Sequence, residues 1–298
     1  MTLETEKRVI MFGGKGGVGK TTCAGAAALH FADRGEKTLV ISTDPTPSLV
    51  DIFELEVSEK PAQVRENLYL AELGTEEIEE LWDRKFGREV YEVFSGFVSI
   101  GYEEFVEFIT SILPGLGEEF MVNYIRELSR SHLYDRIIWD TAPLGQTMGL
   151  LKMPAMLRRH LKAAPRIYSR LKLGEQSRRS ILEILKGWEE LSGEDIAFLK
   201  GEVEFAIVTI PEALAVRQLE RIFAEFSRYG LNFTRLIING VIRGADSDFL
   251  RQRARQQRGY LEVLRRSYAD LEPIELPLFP YEIKGLERLR KVGELLFA

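Results

Sequence analysis

The stretch GGKGGVGKTT, residues 13–22, decides the fold of this 298-residue chain. Gly14 to Thr21 fit the pattern G-x-x-x-x-G-K-[S/T], in which backbone N–H groups surround a phosphate, the lysine reaches its outer oxygens and the hydroxyl ligates magnesium. A short β-branched run precedes the loop and an alanine-rich helical stretch follows it. We therefore predict that this loop binds a nucleotide, through Gly14, Lys15, Gly16, Gly17, Val18, Gly19, Lys20, Thr21 and Thr22.

The pattern on either side of the loop predicts an α/β fold with a doubly wound, mostly parallel sheet. Seven short apolar runs are strand candidates: KRVIMF, KTLVIST, NLYLAEL, DRIIWDT, EFAIVTI, TRLIING and IELPLF. Several are apolar on both faces, as buried parallel strands are, and helical patterns separate them. Residues 75–131 and 146–200 instead read as helix after helix. We interpret residues 1–298 as a single phosphate-loop domain with an inserted helical subdomain.

Composition limits the compartment and the chemistry. The single cysteine, Cys23, allows neither an internal disulfide nor a cysteine-pair metal site. The N-terminal residues carry acids ahead of a short apolar run, which is not the pattern of a secretory signal or a membrane span. We expect a cytoplasmic protein.

The net charge of −6 is unevenly distributed along the chain. Residues 51–120 hold 18 Asp and Glu against 5 Lys and Arg, whereas residues 158–179 hold 8 Lys and Arg against one Glu. Either segment fits a solvated helical face. The basic segment also fits a contact with anionic lipid headgroups or with an acidic partner.

Two aspartates follow predicted strands. Asp140 ends the strand in RIIWDTAPLGQT, and Asp44 follows the strand in LVISTDPTPSLVD. The carboxyl ends of parallel strands meet at the edge where the phosphate loop lies, so both carboxylates are expected near the nucleotide. We predict that Asp140 holds magnesium together with Thr21, through a water molecule, and that Asp44 orients the attacking water. The alternative for each is a helix cap.

Six motifs in this order resemble the ArsA/Get3 family of ATPases, whose Walker A loop is of the deviant type: GGKGGVGKTT, STDPTPSLVD, DTAPLGQT, VTIPEAL, IING and PLFPYEIKG. The resemblance spans residues 9–290 and is closest in character to archaeal-type Get3 homologues. It implies a homodimeric ATPase that binds ATP and Mg2+ on an α/β core with a helical subdomain, in agreement with the fold predicted above.

The resemblance also implies roles for particular residues. In that family the early lysine, here Lys15, reaches across the dimer and neutralises charge on the phosphoryl group held by the other subunit, as an arginine finger does. Asn239 of IING would read the adenine, and Glu212 of TIPEAL would lie near the nucleotide across the interface. The loop at 277–282 would pack on the adenine through Pro277, Pro280 and Glu282.

Three departures from the family pattern limit which member this is. Arsenite-pump subunits bind the metalloid with several cysteines, which this chain lacks. The C-x-x-C pair that bridges many Get3 dimers through zinc would fall near Ser247 and Leu250, so we expect no interface zinc. Gln146 replaces the histidine of the second switch loop, which removes any role that needs an imidazole.

Get3-like ATPases carry the hydrophobic tail helices of membrane proteins. Apolar side chains in the helical insertions are candidates for such a client surface: Phe94, Phe97, Phe105, Phe108, Ile109, Ile112, Met148, Met153 and Met156. The alternative is that they form the subdomain's own core.

The leading functional hypothesis is therefore a homodimeric Mg-ATPase that captures and releases a hydrophobic helical client, with a transient contact to a membrane or a membrane receptor. One alternative is a ParA/MinD-like positioning ATPase that uses the basic segment. Another is an ArsA-type ATPase that handles a metal or an oxyanion. The acidic total argues against a nucleic-acid partner.

Overall fold

The computed structural model describes residues 2–44, 48–55, 61–95, 101–106, 116–141 and 175–298. Its contacts divide the chain into two compact units. The first comprises Met1–Leu73, Leu128–Gln146 and Glu202–Ala298, and the second comprises Gly74–Glu127 and Thr147–Gly201. The interpretation of the whole chain as one domain with a helical subdomain stays a prediction.

The first unit contains a twisted sheet that has eight strands within the described residues. They are β1 (Val9–Gly14), β2 (Thr38–Ser42), β3 (Ala62–Arg65), β4 (Leu68–Glu72), β5 (Arg136–Asp140), β6 (Val203–Thr209), β7 (Arg235–Val241) and β8 (Ile274–Pro277). Their spatial order is β3-β4-β2-β5-β1-β6-β7-β8. Every pairing is parallel except β3 with β4. The predicted doubly wound, mostly parallel fold is confirmed.

The register of the central strands brings the predicted site residues to one edge. β1 lies between β5 and β6 and is buried along its whole length. Phe12 of β1 and Ser42 of β2 both pair with Asp140 of β5. The loops that follow β1, β2 and β5 therefore leave the sheet side by side, as the carboxyl ends of parallel strands do in this class of fold.

The seven predicted strands are all present, but the sequence did not indicate β3. Its four residues, AQVR, are half-buried or exposed, so they lack the continuous apolar run of a buried parallel strand. β3 forms the antiparallel edge of the sheet, and its register with β4 is irregular between Gln63 and Arg65. An edge strand of this kind needs little apolar surface because only one side of it pairs.

Nine helices are labelled here among the described residues: α1 (Lys20–Asp33), α2 (Leu49–Phe53), α3 (Thr75–Trp82), α4 (Arg88–Ser95), α5 (Leu116–Arg130), α6 (Glu175–Gly201), α7 (Ala213–Arg228), α8 (Asp248–Ser267) and α9 (Gly285–Leu296). A π-helical turn, Asp83–Gly87, joins α3 to α4. None of the helices that the structure describes is both long and apolar enough to span a membrane.

Helix α1 packs closely because most of its buried residues are small. Ala24, Ala26, Ala27 and Ala28 are fully buried in the core of the first unit. A Cβ added at Gly293 of α9 would lie 3.2 Å from the Ala26 carbonyl oxygen, so the backbones of α1 and α9 approach each other closely. The phosphate loop is thus followed by a helix that is fixed by the core.

In the second unit, Phe105 belongs to the core rather than to an exposed client surface. It is only 1% exposed, and its ring centroid lies 5.3 Å from that of Tyr91. The hypothesis that Phe105 contacts a client is therefore wrong. The other client candidates lie outside the described residues, or have side chains that do: Phe94, Phe97, Phe108, Ile109, Ile112, Met148, Met153 and Met156. Gln146 and residues 158–174 of the basic segment also lie outside them.

Candidate functional site

The phosphate loop turns where only glycine fits. Gly19 has φ 96°, and a Cβ there would lie 2.3 Å from the Asn239 side-chain nitrogen. At Gly14 a Cβ would lie 2.5 Å from the Val208 carbonyl oxygen. Helix α1 then begins at Lys20 with no acidic residue in its first turn and no side-chain cap among the described residues. Its first N–H groups are consequently available to an anion.

The two lysines of the loop have different surroundings. Lys20 is buried at the start of α1. Lys15 is half-buried and makes no hydrogen bond or ion pair within the part of the chain that the structure describes. Gly16 and Gly17, next to Lys15, are exposed. The beginning of the loop is therefore open to contact from outside, whereas its end is built into the core.

Asp140 is a buried carboxylate at the edge of the phosphate loop. It is 0% exposed, and the Thr21 hydroxyl, the Ser42 hydroxyl and the Lys20 ammonium lie near it. Burial raises the pKa of Asp140 to about 7, against the opposing influence of Thr21 and Lys20, and the charge of Asp44 raises it further. A cation beside a buried carboxylate stabilises its ionised form. Asp140 and the Thr21 hydroxyl are oxygen ligands of the kind that Mg2+ prefers, so they fit this metal.

The segment that carries Asp44 is held by the ends of β2 and β5. The Asp44 amide donates to the Ser42 hydroxyl oxygen at 3.2 Å, and the Thr43 amide donates to the Asp140 carbonyl at 3.1 Å. The Trp139 indole N–H donates to the Thr43 hydroxyl oxygen at 3.1 Å. Ser42, two residues before Asp44, pairs with Asp140 across the sheet. The structure thus brings Asp44, Asp140 and the phosphate loop together.

A cavity of about 310 Å3 opens beside the start of α1. It is lined by four of the predicted nucleotide contacts, Thr22, Asn239, Pro277 and Glu282. Its apolar walls include Ile52, Leu276, Phe279 and Ile283. Apolar walls with a few polar groups are typical of small-molecule sites. Pro280 belongs to the same loop but is exposed and does not contribute to the lining that the structure describes.

Asn239 is bound to the phosphate loop. Its side-chain N–H donates to the Val18 carbonyl at 2.9 Å, and its side-chain oxygen accepts from the Gly240 amide at 2.9 Å. A primary amide carries two N–H donors, so one of them stays available to a base in the cavity. That Asn239 reads the adenine stays a prediction.

Glu212 has a partner within its own chain. It precedes the first residue of α7, and its carboxylate accepts from the Arg253 guanidinium at 2.7 Å. Both side chains are more than 40% exposed, so this ion pair contributes little to stability. A contact of Glu212 with nucleotide across an interface stays a prediction.

Two residues of the site were missed in the sequence. The Ser48 hydroxyl oxygen lies 3.2 Å from that of Thr21. The Glu72 carboxylate accepts hydrogen bonds from the amides of Ser48, Leu49 and Val50. The available signal was the strand candidate NLYLAEL, which carries Glu72 near its carboxyl end, as DRIIWDT carries Asp140.

The central strand of the mostly parallel sheet leads through a glycine loop into the N-terminus of a helix. A buried lysine and a buried carboxylate lie beside this loop. These features define a phosphate-loop nucleotide-binding protein. The comparisons with known proteins narrow this class. The family model described as "Anion-transporting ATPase" matches residues 7–298, and the chain belongs to this ArsA-type ATPase family. The protein is an ATPase.

The relatives come from both branches that the sequence motifs resemble. The chain is 31% identical to the putative arsenical pump-driving ATPase 2 of Aquifex aeolicus (strain VF5), over 97% of this chain and 99% of the relative. It is 30% identical to ATPase GET3A of Arabidopsis thaliana, over 94% of this chain and 81% of the relative. It is 29% identical to ATPase get3 of Sclerotinia sclerotiorum, over 97% of this chain and 89% of the relative. The resemblance to the ArsA/Get3 family is confirmed.

Proposed function

We propose that this ATPase is a magnesium-dependent homodimer that captures and releases a hydrophobic helical client, such as the tail of a tail-anchored membrane protein. The observation that carries the proposal is the contrast within the phosphate loop. Lys20 is buried beside the nucleotide-binding edge, while Lys15 has no bonding partner among the described residues and is accessible to a second subunit.

One chain supplies the groups that bind ATP and magnesium before hydrolysis. The loop amides and Lys20 bind the phosphates, and the lining of the 310 Å3 cavity binds the base. Thr21 and Asp140 hold magnesium, which neutralises phosphate charge when bound. Asp44, next to Asp140, orients the water that attacks the terminal phosphate.

The second subunit supplies Lys15. A cation that approaches the transferring phosphoryl group from a partner stabilises negative charge that develops only in the transition state. Hydrolysis is thereby coupled to dimer closure, because the site is complete only when two chains meet. Such a coupling lets nucleotide open and close a surface for a client.

A client role is favoured over arsenical transport by the state of the only cysteine. Cys23 is fully buried in α1, and burial raises the pKa of its thiol to about 12, with a further contribution from Asp140. A thiol of this kind is neither ionised nor accessible, so it does not bind a soft metal or metalloid.

A direct test uses a fluorescent peptide of about 20 apolar residues, the length of a membrane-spanning helix. With Mg2+ and ATP, the Asp44→Asn variant should retain the peptide, whereas the active protein should bind and release it as ATP is consumed. A peptide of equal length with four lysines distributed along it serves as the control. Equal binding of both peptides, or binding that ignores nucleotide, would contradict the client role. Binding to anionic vesicles without peptide capture would favour the positioning ATPase instead.

A further inference from the structure

Glu72, the last residue of β4, makes three hydrogen bonds that none of the roles above requires. Its Oε1 accepts from the backbone amides of Ser48 at 2.8 Å, Leu49 at 2.6 Å and Val50 at 3.3 Å. These amides belong to the start of α2, where N–H groups have no partner inside the helix. A carboxylate is the strongest acceptor for them and also matches the positive end of a helix.

Glu72 thereby fixes one end of the segment that carries Asp44. The other end is fixed by β2 and β5, through the bonds from the Asp44 amide to Ser42 and from the Thr43 amide to Asp140. Pro45, Thr46 and Pro47 lie between these ends, outside the described residues. Both described ends of the segment are therefore attached to carboxyl ends of sheet strands.

Ser48 connects this anchor to the magnesium ligand. Its amide donates to Glu72, and its hydroxyl oxygen lies 3.2 Å from that of Thr21. A continuous set of contacts consequently runs from Glu72 through Ser48 to Thr21. Outer-shell contacts of this kind orient the groups that hold a metal.

The rest of α2 is held independently of Glu72. Leu49 and Phe53 are buried in the core of the first unit. A Cβ at Gly25 of α1 would lie 3.3 Å from the Phe53 ring, so α2 packs directly against α1. Loss of Glu72 should therefore release the first turn of α2 without detaching the helix.

We propose that Glu72 is a positioning residue for ATP hydrolysis: by holding the Ser48, Leu49 and Val50 amides, it sets the orientation of the segment that bears Asp44. The inference rests on the proposed role of Asp44 in orienting water. Glu72 makes no direct bond to the phosphate loop among the described residues, and its link to Thr21 passes through Ser48. Its loss should therefore lower turnover much more than nucleotide affinity.

A purely structural helix cap is the competing explanation, and it predicts a different result. A cap lowers the melting temperature but leaves kcat unchanged at temperatures where the protein is fully folded. A positioning residue changes kcat at those temperatures, with little change in the dissociation constant of ATP. The conservative variant Glu72→Gln distinguishes the two explanations further, because it retains an oxygen acceptor and loses the charge.

The experiment compares Glu72→Ala and Glu72→Gln with Glu66→Gln, a change of an exposed residue in the β3–β4 turn. Three quantities are measured well below the melting temperature: kcat, the ATP dissociation constant, and hydrogen exchange of the 48–50 amides. Glu72→Ala should lower kcat about 10- to 100-fold, the usual effect of an outer-shell partner. It should accelerate exchange at 48–50 and change ATP affinity by less than about 3-fold. Glu72→Gln should lose only a few-fold in kcat, and Glu66→Gln should match the unmodified protein.

Faster exchange with an unchanged kcat in Glu72→Ala would reduce Glu72 to a cap and overturn the inference. Unchanged exchange would show that the three bonds do not form. If Glu72→Ala does not fold, Glu72→Gln decides, and an unaltered kcat in that variant overturns the inference. Asp44→Asn is measured in parallel. Normal turnover in Asp44→Asn would refute the proposed role of Asp44. Slow turnover in Asp44→Asn together with normal turnover in Glu72→Ala would refute only the role of Glu72.

Discussion

Asp140 ends β5 and Asp44 follows the neighbouring parallel strand β2, but the surroundings of the two carboxylates suit different roles. Asp140 is sealed in the core, and its pKa is raised to about 7 by burial. Such a group is stable as an anion only beside a cation. Asp44 is half-buried on the segment that leaves the sheet, where it can reach a solvent molecule. At the scale of residues, burial therefore separates the predicted metal ligand from the predicted water-orienting group.

Asp44→Asn should separate nucleotide binding from hydrolysis. The change retains the size of the side chain but removes the charge that orients water, whereas the ground-state contacts come from the phosphate loop. We expect kcat to fall roughly 10²- to 10⁴-fold, the usual contribution of a positioned base, with ATP affinity nearly unchanged. Steady-state turnover and equilibrium binding of ATP measure the two. A parallel loss of affinity would place Asp44 in the metal site instead.

Gly19→Ala should weaken nucleotide binding itself rather than only slow hydrolysis. The added Cβ would lie 2.3 Å from the Asn239 nitrogen, at a φ of 96° that residues other than glycine rarely adopt. The loop and the bond from Asn239 to Val18 must then move. We expect ATP affinity to fall at least about 10-fold, equivalent to 1.4 kcal/mol. Gly259→Ala on α8, where a Cβ meets nothing within 4 Å, is the control. Equal ATP affinity in both variants would contradict the loop geometry.

At the scale of elements, the sequence predicted what depends on local pattern and missed what depends on pairing across the sheet. The apolar runs of β1, β2 and β4 to β8 are recognisable because buried parallel strands need apolar residues on both faces. β3 has no such run. The phosphate loop is predictable from its motif, and Asp44 and Asp140 are predictable from their positions at the ends of predicted strands. The contact of Glu72 with Ser48 arises because β4 pairs with β2, and nothing in the local pattern of either segment indicates that neighbour.

The second unit contains a buried ion pair that should make stability depend on pH. Asp195 of α6 lies 3.1 Å from the Arg126 guanidinium of α5, and Arg126 also binds Glu194 at 2.8 Å. Burial raises the pKa of Asp195 from 3.8 to about 6, although Arg126, Asn123 and Lys85 act to lower it. The folded state holds this proton more tightly than the unfolded chain. The stabilising contribution is therefore complete below about pH 4 and is lost as pH rises through about 6.

Asp195→Asn should flatten the pH profile of the melting temperature between pH 4 and 6, because the neutral amide does not titrate. Thermal unfolding across this window, with Asp246→Asn at an exposed position as the control, measures the difference. At pH 7, where the raised pKa disfavours ionised Asp195 in the folded state, Asp195→Asn should melt no lower than the unmodified protein. An unchanged slope between pH 4 and 6 would show that Asp195 is already ionised throughout.

At the scale of the whole molecule, the central claim is that one chain holds the nucleotide and a second chain completes the site. The groups that bind phosphate and fit magnesium all lie in the first unit of one chain, at the carboxyl edge of its sheet. Lys15 lies at the open beginning of the loop, with no bond among the described residues. An isologous pairing of two chains would place each Lys15 near the partner's nucleotide. Turnover would then need the dimer.

Mixing two inactive variants tests this claim most directly. Lys15→Ala retains its own Asp44, and Asp44→Asn retains its own Lys15, so each homodimer should turn over ATP at a small fraction of the normal rate. In a mixed dimer, the Lys15→Ala subunit would receive Lys15 from its partner and regain one complete site. With random pairing at equal amounts, half of the dimers are mixed, so the rate should recover to about a quarter of that of the unmodified protein. Lys15 acting within its own chain predicts no recovery at any ratio, and that result would contradict the account.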